Sequence, residues 1–271
     1  MTQRTLILAL LLLMSAAACS RGDAVFPTPM DINMRATEIV LTENAPPSGF
    51  DTVSFEAIDA NLTRLPGWYY EASLSFNGVF ARTPRATEAR TEMAVWYNQV
   101  ANARRVVANV SGDLFGDLDA EAQAPAINYE AVRLGPDVFL MRDGLCLTGP
   151  DADIVAAADL SAGSLLGGVV QARSMARRST INGEQVWRYD FTLDEMRLPG
   201  ISLGATGRIL NMAGELWVSP QHQAVIRYYV NMEVDNAFVL GSDLPVTGTV
   251  ALRYDLYEVG QVPNISVPFG C

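Results

Sequence analysis

Ile226-Arg227-Tyr228-Tyr229-Val230-Asn231-Met232-Glu233-Val234-Asp235 alternates between two kinds of side chain along its whole length. Successive side chains of a strand point to opposite faces. Ile226, Tyr228, Val230, Met232 and Val234 therefore share one apolar face, and Arg227, Tyr229, Asn231, Glu233 and Asp235 a wet one. A strand with one greasy and one wet face belongs to antiparallel sheet.

The same period runs outward in both directions. Trp68, Tyr70, Ala72, Leu74 and Phe76 share a face. So do Trp187, Tyr189, Phe191 and Leu193, and again Val250, Leu252, Tyr254 and Leu256. Weaker strands are expected at Thr91–Val110, Ile127–Leu134, Val138–Arg142 and Gly214–Val218. Gly135-Pro136, Asp143-Gly144, Asn182-Gly183 and Ser219-Pro220 supply turn chemistry between them. Helical spacing of Phe55, Ile58, Leu62 and Leu65 predicts a short helix over Thr52–Leu65. The alanine-rich stretch Asp151–Val170 predicts a second, and glycine-rich Arg197–Asn211 reads as a loop. The fold class is mainly antiparallel β, many strands with little helix, in a sheet that can curl. Scarce helix leaves apolar sheet to be covered, which is the argument for a cavity that foreign hydrocarbon fills.

The start of the chain sets the expected compartment. Arg4, the apolar run Leu6–Met14 and the small residues Ser15 to Ala18 read as a signal peptide. The run is too short to span a bilayer, which takes roughly 20 residues. Ser15-Ala16-Ala17-Ala18-Cys19 resembles the lipobox of bacterial lipoproteins, in which Cys19 is lipidated and becomes the first residue; an ordinary leader with a coincidental cysteine is the alternative. The expected organisation is a signal peptide over 1–18, lipidated Cys19 and a proline-punctuated tether over 19–50, and one domain over 51–271. Such a chain is exported and anchored to the outer face of a bacterial membrane.

The net charge is -11 and every base is arginine, 19 in all. An acidic chain without basic clusters excludes a nucleic-acid partner and a polybasic grip on anionic lipid. With Cys19 given to lipid, Cys146 and Cys271 remain, an even pair that suggests a disulfide in an exported protein; two free thiols are the other reading.

Catalytic signals are absent from the sequence. His222 is the only histidine and sits in turn company, and no nucleophile elbow, zinc helix, P-loop or dinucleotide fingerprint is present. The chain is expected to be no enzyme and to need no cofactor or metal. The remaining candidates are aromatic: Trp68, Tyr70, Phe76, Trp96, Trp187, Tyr189, Phe191 and Tyr228. Two readings are open for them, ordinary core and the wall of an apolar ligand cavity.

Gly183-Glu184-Gln185-Val186-Trp187-Arg188-Tyr189, Gly214-Glu215-Leu216-Trp217-Val218-Ser219, the strand Val225-Ile226-Arg227-Tyr228 and the closing run Tyr254 to Pro268 resemble the half-barrel lipoproteins of the LolA, LppX and LprG type. The resemblance implies a strongly curved half-barrel sheet with a few helices on the concave face, and an apolar cavity for the acyl chains of lipids or lipoproteins. The expected function is a membrane-anchored binder of lipid or another hydrophobic ligand in lipid or lipoprotein trafficking, with an envelope transporter as a possible partner. The alternative is an envelope sensor or scaffold that binds a protein through the same fold.

Overall fold

The computed structural model describes residues 44–83, 85–114 and 127–271. The leader, Cys19, the tether up to residue 43 and most of the acidic loop after Asp113 lie outside the described residues.

Thirteen strands form one antiparallel sheet. They are β1 (Thr52–Phe55), β2 (Gly67–Phe80), β3 (Ala86–Asn98), β4 (Ala103–Gly112), β5 (Ile127–Leu134), β6 (Asp137–Arg142), β7 (Leu145–Thr148), β8 (Gly168–Ile181), β9 (Glu184–Asp190), β10 (Met196–Arg197), β11 (Ile201–Ser219), β12 (Ala224–Val239) and β13 (Val246–Tyr257). Two helices stand among the described residues between β7 and β8: α1 (Ala152–Asp159) and α2 (Ala162–Leu166). The strand order is β1-β8-β9-β11-β12-β13-β2-β3-β4-β5-β6-β7, with β10 paired to β8, so the curved sheet is unclosed and ends on β1 and β7.

Register follows the alternation. Tyr228, Tyr254, Ala72, Met93 and Ala108 lie in one row across β12, β13, β2, β3 and β4, and Val230, Leu252, Leu74 and Thr91 in the next. All of these are buried. The turns form where the dipeptides predict them: Asn182-Gly183 and Asp143-Gly144 both take the paired positive φ of a tight hairpin.

Three expectations are corrected. Thr52–Leu65 is not a helix. Its first residues pair with β8 as β1, and its end is one 3-10 turn at Leu62–Arg64 entered through Asn61 at φ 71. The apolar spacing there reflects contact with the sheet, since Phe55, Ile58 and Leu62 are all buried. Asp151–Val170 is broken into α1 and α2 at Leu160, whose backbone is extended. Ser161 caps the second helix by accepting the Ser164 amide. Arg197–Asn211 is no loop, because most of it is the first half of β11; Gly204 and Gly207 sit at the irregular register between Leu203 and Arg208.

The apolar face is covered mostly by pieces that are not helical. Phe55, Ile58 and Leu62 join the core, with α2 supplying Ala162 and Leu166. The segment after β10 also reaches in, where a Cβ on Gly200 would stand 2.8 Å from a Leu74 methyl. A second cluster, built from Ala131, Val138 and Leu140, takes Ile154 and Ala158 of α1. Scarcity of helix thus did not leave this face bare among the described residues.

Candidate functional site

The wet face carries a trough. Its floor runs along β13 and β2, where small or short side chains stand outward: Ala251 and Thr249 on one strand, Ser73, Ser75 and Asn77 on the other. Longer side chains flank them, Tyr229, Asn231 and Glu233 from β12 and Glu92, Arg90 and Glu88 from β3. One row makes the layout plain: Ala213, Asn231, Ala251, Ser75, Arg90 and Ser111 face one another in register across six strands.

The trough has two chambers. The upper holds about 710 Å³ and includes apolar surface from Ala213 and Ala251 beside Asn211, Asn231 and Thr249. The lower holds about 540 Å³ and is bounded by Glu71, Ala94, Val107, Tyr229, Asp255 and Tyr257. Arg90 borders both. Both volumes fall in the range of small-molecule sites.

Arg253, which also lines the lower chamber, is held down beside the floor. Its guanidinium donates to the carbonyls of Val230 and Leu252 at 2.9 and 2.7 Å and to Asn231 Oδ1 at 2.6 Å, and it lies 5.0 Å from the Tyr229 ring centre. Arg227 lies over the same ring at 4.8 Å and donates through Nε to Asp255 at 2.7 Å. The Tyr229 hydroxyl also donates to Asp255. Burial, reinforced by that carboxylate, pushes the Tyr229 phenol up to about 12. Below these residues Trp96, Tyr69 and Tyr257 stack across β3, β2 and β13, with centroids 4.7 and 5.5 Å apart, and Arg105 covers the outer face of Trp96.

The eight aromatics singled out from the sequence fall mainly elsewhere. Trp68 Nε1 donates to the Leu62 carbonyl at 2.9 Å, Trp187 Nε1 to that of Asn44 at 3.0 Å, and the Tyr189 hydroxyl to that of Phe50 at 2.7 Å. The Tyr70 hydroxyl meets Asp59 and the Ala162 amide. Phe191 packs on Tyr228 with centroids 5.9 Å apart. These six are buried on contacts the chain itself supplies. Trp96 belongs to the wet-face stack, and Phe76 is buried on the apolar face in register with Val250 and Ala89, so its ring points away from the trough. Sequence reading missed Ser75, Arg90, Asn231 and Ala251 because a wet strand face reads as solvent. The signal was there in the small residues Ser73, Ser75 and Ala251 at outward positions of adjacent long strands.

Cys146 and Cys271 form a disulfide with Cα atoms 5.2 Å apart. His222 Nε2 lies 2.9 Å from Glu184 Oε2 and ties two hairpin turns together, away from the trough.

No family model and no curated protein matches the chain. Among solved structures it is similar to a LolA superfamily protein from Nitrosomonas europaea at 9% identity and a TM-score of 0.19, over 79% of this chain and 96% of that one. It is also similar to a DUF1329 family protein from Desulfovibrio piger at 10% identity and a TM-score of 0.20, over 86% and 94%. These are weak likenesses to LolA-like folds. The fold stands on the strand pairing described above, and the likenesses carry no argument about what the chain binds.

Proposed function

We propose that the chain is a binding protein of the bacterial cell envelope, exported, held on a membrane through lipidated Cys19, and loaded with a lipid-like amphiphile in the wet-face trough. The observation that carries this reading is the mixed lining of the upper chamber, where the alanine surface of Ala213 and Ala251 lies within one row of asparagine, threonine and arginine side chains. Hydrocarbon gains by leaving water against Ala213 and Ala251, and a polar head finds donors and acceptors along Asn77, Asn231 and Arg90. This replaces the apolar cavity expected from the sequence with a site on the opposite face. No bond-making step is part of the proposal.

The test uses the full chain with Cys19→Ser, so that its own acyl chains cannot compete. Native mass spectrometry is expected to find co-purified lipid, and a fluorescent fatty acid to be taken up. Ala251→Trp fills the floor and is expected to weaken uptake by about tenfold or more, a loss of about 1.4 kcal/mol. No uptake by the parent chain, or equal uptake by Ala251→Trp, overturns the reading.

A second reading has its own support. Six of the eight aromatics proposed as cavity wall are packed by the chain itself, as a scaffold with a filled interior requires. In that case the trough seats a segment of a protein partner, and Ala251→Trp abolishes partner capture while lipid uptake is absent throughout.

A further inference from the structure

The last eleven residues cross the wet face as a strap. Gly260 donates its amide to the Gly67 carbonyl at 2.9 Å, and a Cβ on Gly67 would fall 2.2 Å from the Gln261 oxygen, so the chain passes directly over the start of β2. Asn98 Nδ2 then holds the Pro263 carbonyl at 2.9 Å above the end of β3. Further on, Gly270 lies over β6, where a Cβ would come 2.9 Å from Met141 Cε. Cys271 ends the path in its disulfide to Cys146 on β7. Pro268 is buried in an otherwise largely exposed tail, and Val132, which points to the wet face of β5, is wholly buried.

The strap has little length to spare, with its last four residues closed into a turn in which the Cys271 amide donates to the Pro268 carbonyl at 3.1 Å. Between its holds at Asn98 and Cys146 it must cross from β3 to β7, about 19 Å at about 4.8 Å per strand, while climbing about 13 Å along the strands. The diagonal is about 23 Å, and the residues from Pro263 to Cys271 reach about 26 Å fully extended. The row in which it ends also borders the lower chamber: Glu71, Ala94 and Val107, which bound that chamber, continue in register through Glu130 and Met141 to Cys146.

We propose that the strap, latched by Cys146–Cys271, is the end wall of the trough and sets the length of chain the lower chamber admits. It draws the free edge strand β7 toward β3 and fences that row on the β5–β7 side. The length-setting role rests on the trough reading given above; the latch itself does not.

Two arms test it on the full chain. Hydrogen exchange across residues 130–141 is compared between the parent and Cys146→Ser/Cys271→Ser. Loss of the latch is expected to raise exchange there by about tenfold or more and to leave β12 and β13 unchanged. Should the double variant fail to fold, the folded parent is reduced with dithiothreitol and measured the same way. Unchanged exchange overturns the latch. The second arm measures uptake of saturated fatty-acid probes of increasing length. Affinity in the parent is expected to stop rising at a shorter chain than in the unlatched protein. Identical length profiles overturn the end-wall role. A parent that takes no probe sinks the trough reading and the length-setting role with it, while the exchange arm still decides the latch.

Discussion

The Tyr70 hydroxyl accepts the Ala162 amide at 3.0 Å and so joins the middle of the sheet to the first turn of α2. Asp59 completes the joint, accepting hydrogen bonds from the Tyr70 hydroxyl at 3.3 Å and from the Ala162 and Gly163 amides at 3.1 and 3.0 Å. These are the amides that a short helix leaves without partners. Tyr228 is as deeply buried as Tyr70, yet its hydroxyl finds no partner among the described residues. The two tyrosines are therefore expected to respond differently to loss of one oxygen. Tyr70→Phe should cost about 1–2 kcal/mol, and Tyr228→Phe at most about 0.5 kcal/mol or nothing. Urea denaturation of both variants decides it. Equal losses would mean that the hydroxyl at Tyr70 does not carry the joint.

The division between the faces is sharpest at Leu74 and Ser75, adjacent in β2. Leu74 is fully buried against the covering segment near Gly200, whereas Ser75 forms part of the trough floor. Leu74→Ala should destabilise by about 2–5 kcal/mol, the cost of a buried cavity. Ser75→Ala should stay within about 0.5 kcal/mol, since it removes no packing. Similar losses at both positions would show that the wet face is packed rather than open.

Much of the fold could be read from the chain because the period of two is imposed by burial on one side. It placed Trp68 to Phe76, Ile226 to Val234 and Val250 to Leu256 on their correct faces. Turn chemistry at Asn182-Gly183 and Ser219-Pro220 joined the right strands. The failure at Thr52–Leu65 has a physical cause. Phe55, Ile58 and Leu62 are apolar because they cover the sheet, and an irregular segment that crosses a flat surface can space its apolar residues like a helix. The candidate site was hidden for a related reason. Hydrophobicity marks what a strand buries, whereas a trough on the wet face is made by the sizes of outward side chains on several strands together. Ser75 beside Ala251 is informative only once β2 and β13 are known to be neighbours.

Alkaline pH should unfold the protein through its tyrosines. Burial, with Asp51 adding to it, pushes the Tyr189 phenol up to about 12; burial alone raises Tyr228, and burial ahead of nearby charges raises Tyr70 and Tyr254. An acid whose pKa is higher when folded than its ordinary value of about 10 is held neutral by the fold. Its contribution to stability is complete below pH 10 and is lost as pH rises through the folded value. Urea midpoints should therefore be flat up to about pH 10 and fall between 10 and 12. Tyrosinate absorbance should appear together with loss of the sheet signal in circular dichroism. Tyrosines that all ionise near pH 10 in an intact sheet would contradict the burial described here.

Asp255 offers the most local of the tests, because one carboxylate serves Arg227 and Tyr229 beside the trough and also accepts from Asn182 Nδ2 at 3.4 Å. It accepts the Arg227 Nε–H at 2.7 Å and the Tyr229 hydroxyl, and it is itself buried. Asp255→Asn keeps the shape and removes the charge, leaving the Arg227 guanidinium without its counter-ion. The loss expected is about 1–3 kcal/mol, below that of a fully buried pair because the Arg227 side chain keeps 28% of its exposure. A second readout separates this from a packing defect. Burial is the largest reason the Tyr229 phenol stands at about 12, and the Asp255 carboxylate adds to it as hydrogen-bond acceptor and as a negative charge. With the charge gone, Tyr229 should titrate at a lower pH and still above its ordinary value, as followed by NMR of ring-labelled tyrosine. A Tyr229 titration that does not move in Asp255→Asn would show that the carboxylate is not coupled to this ring, and that the polar bracket around the lower chamber is not built as described.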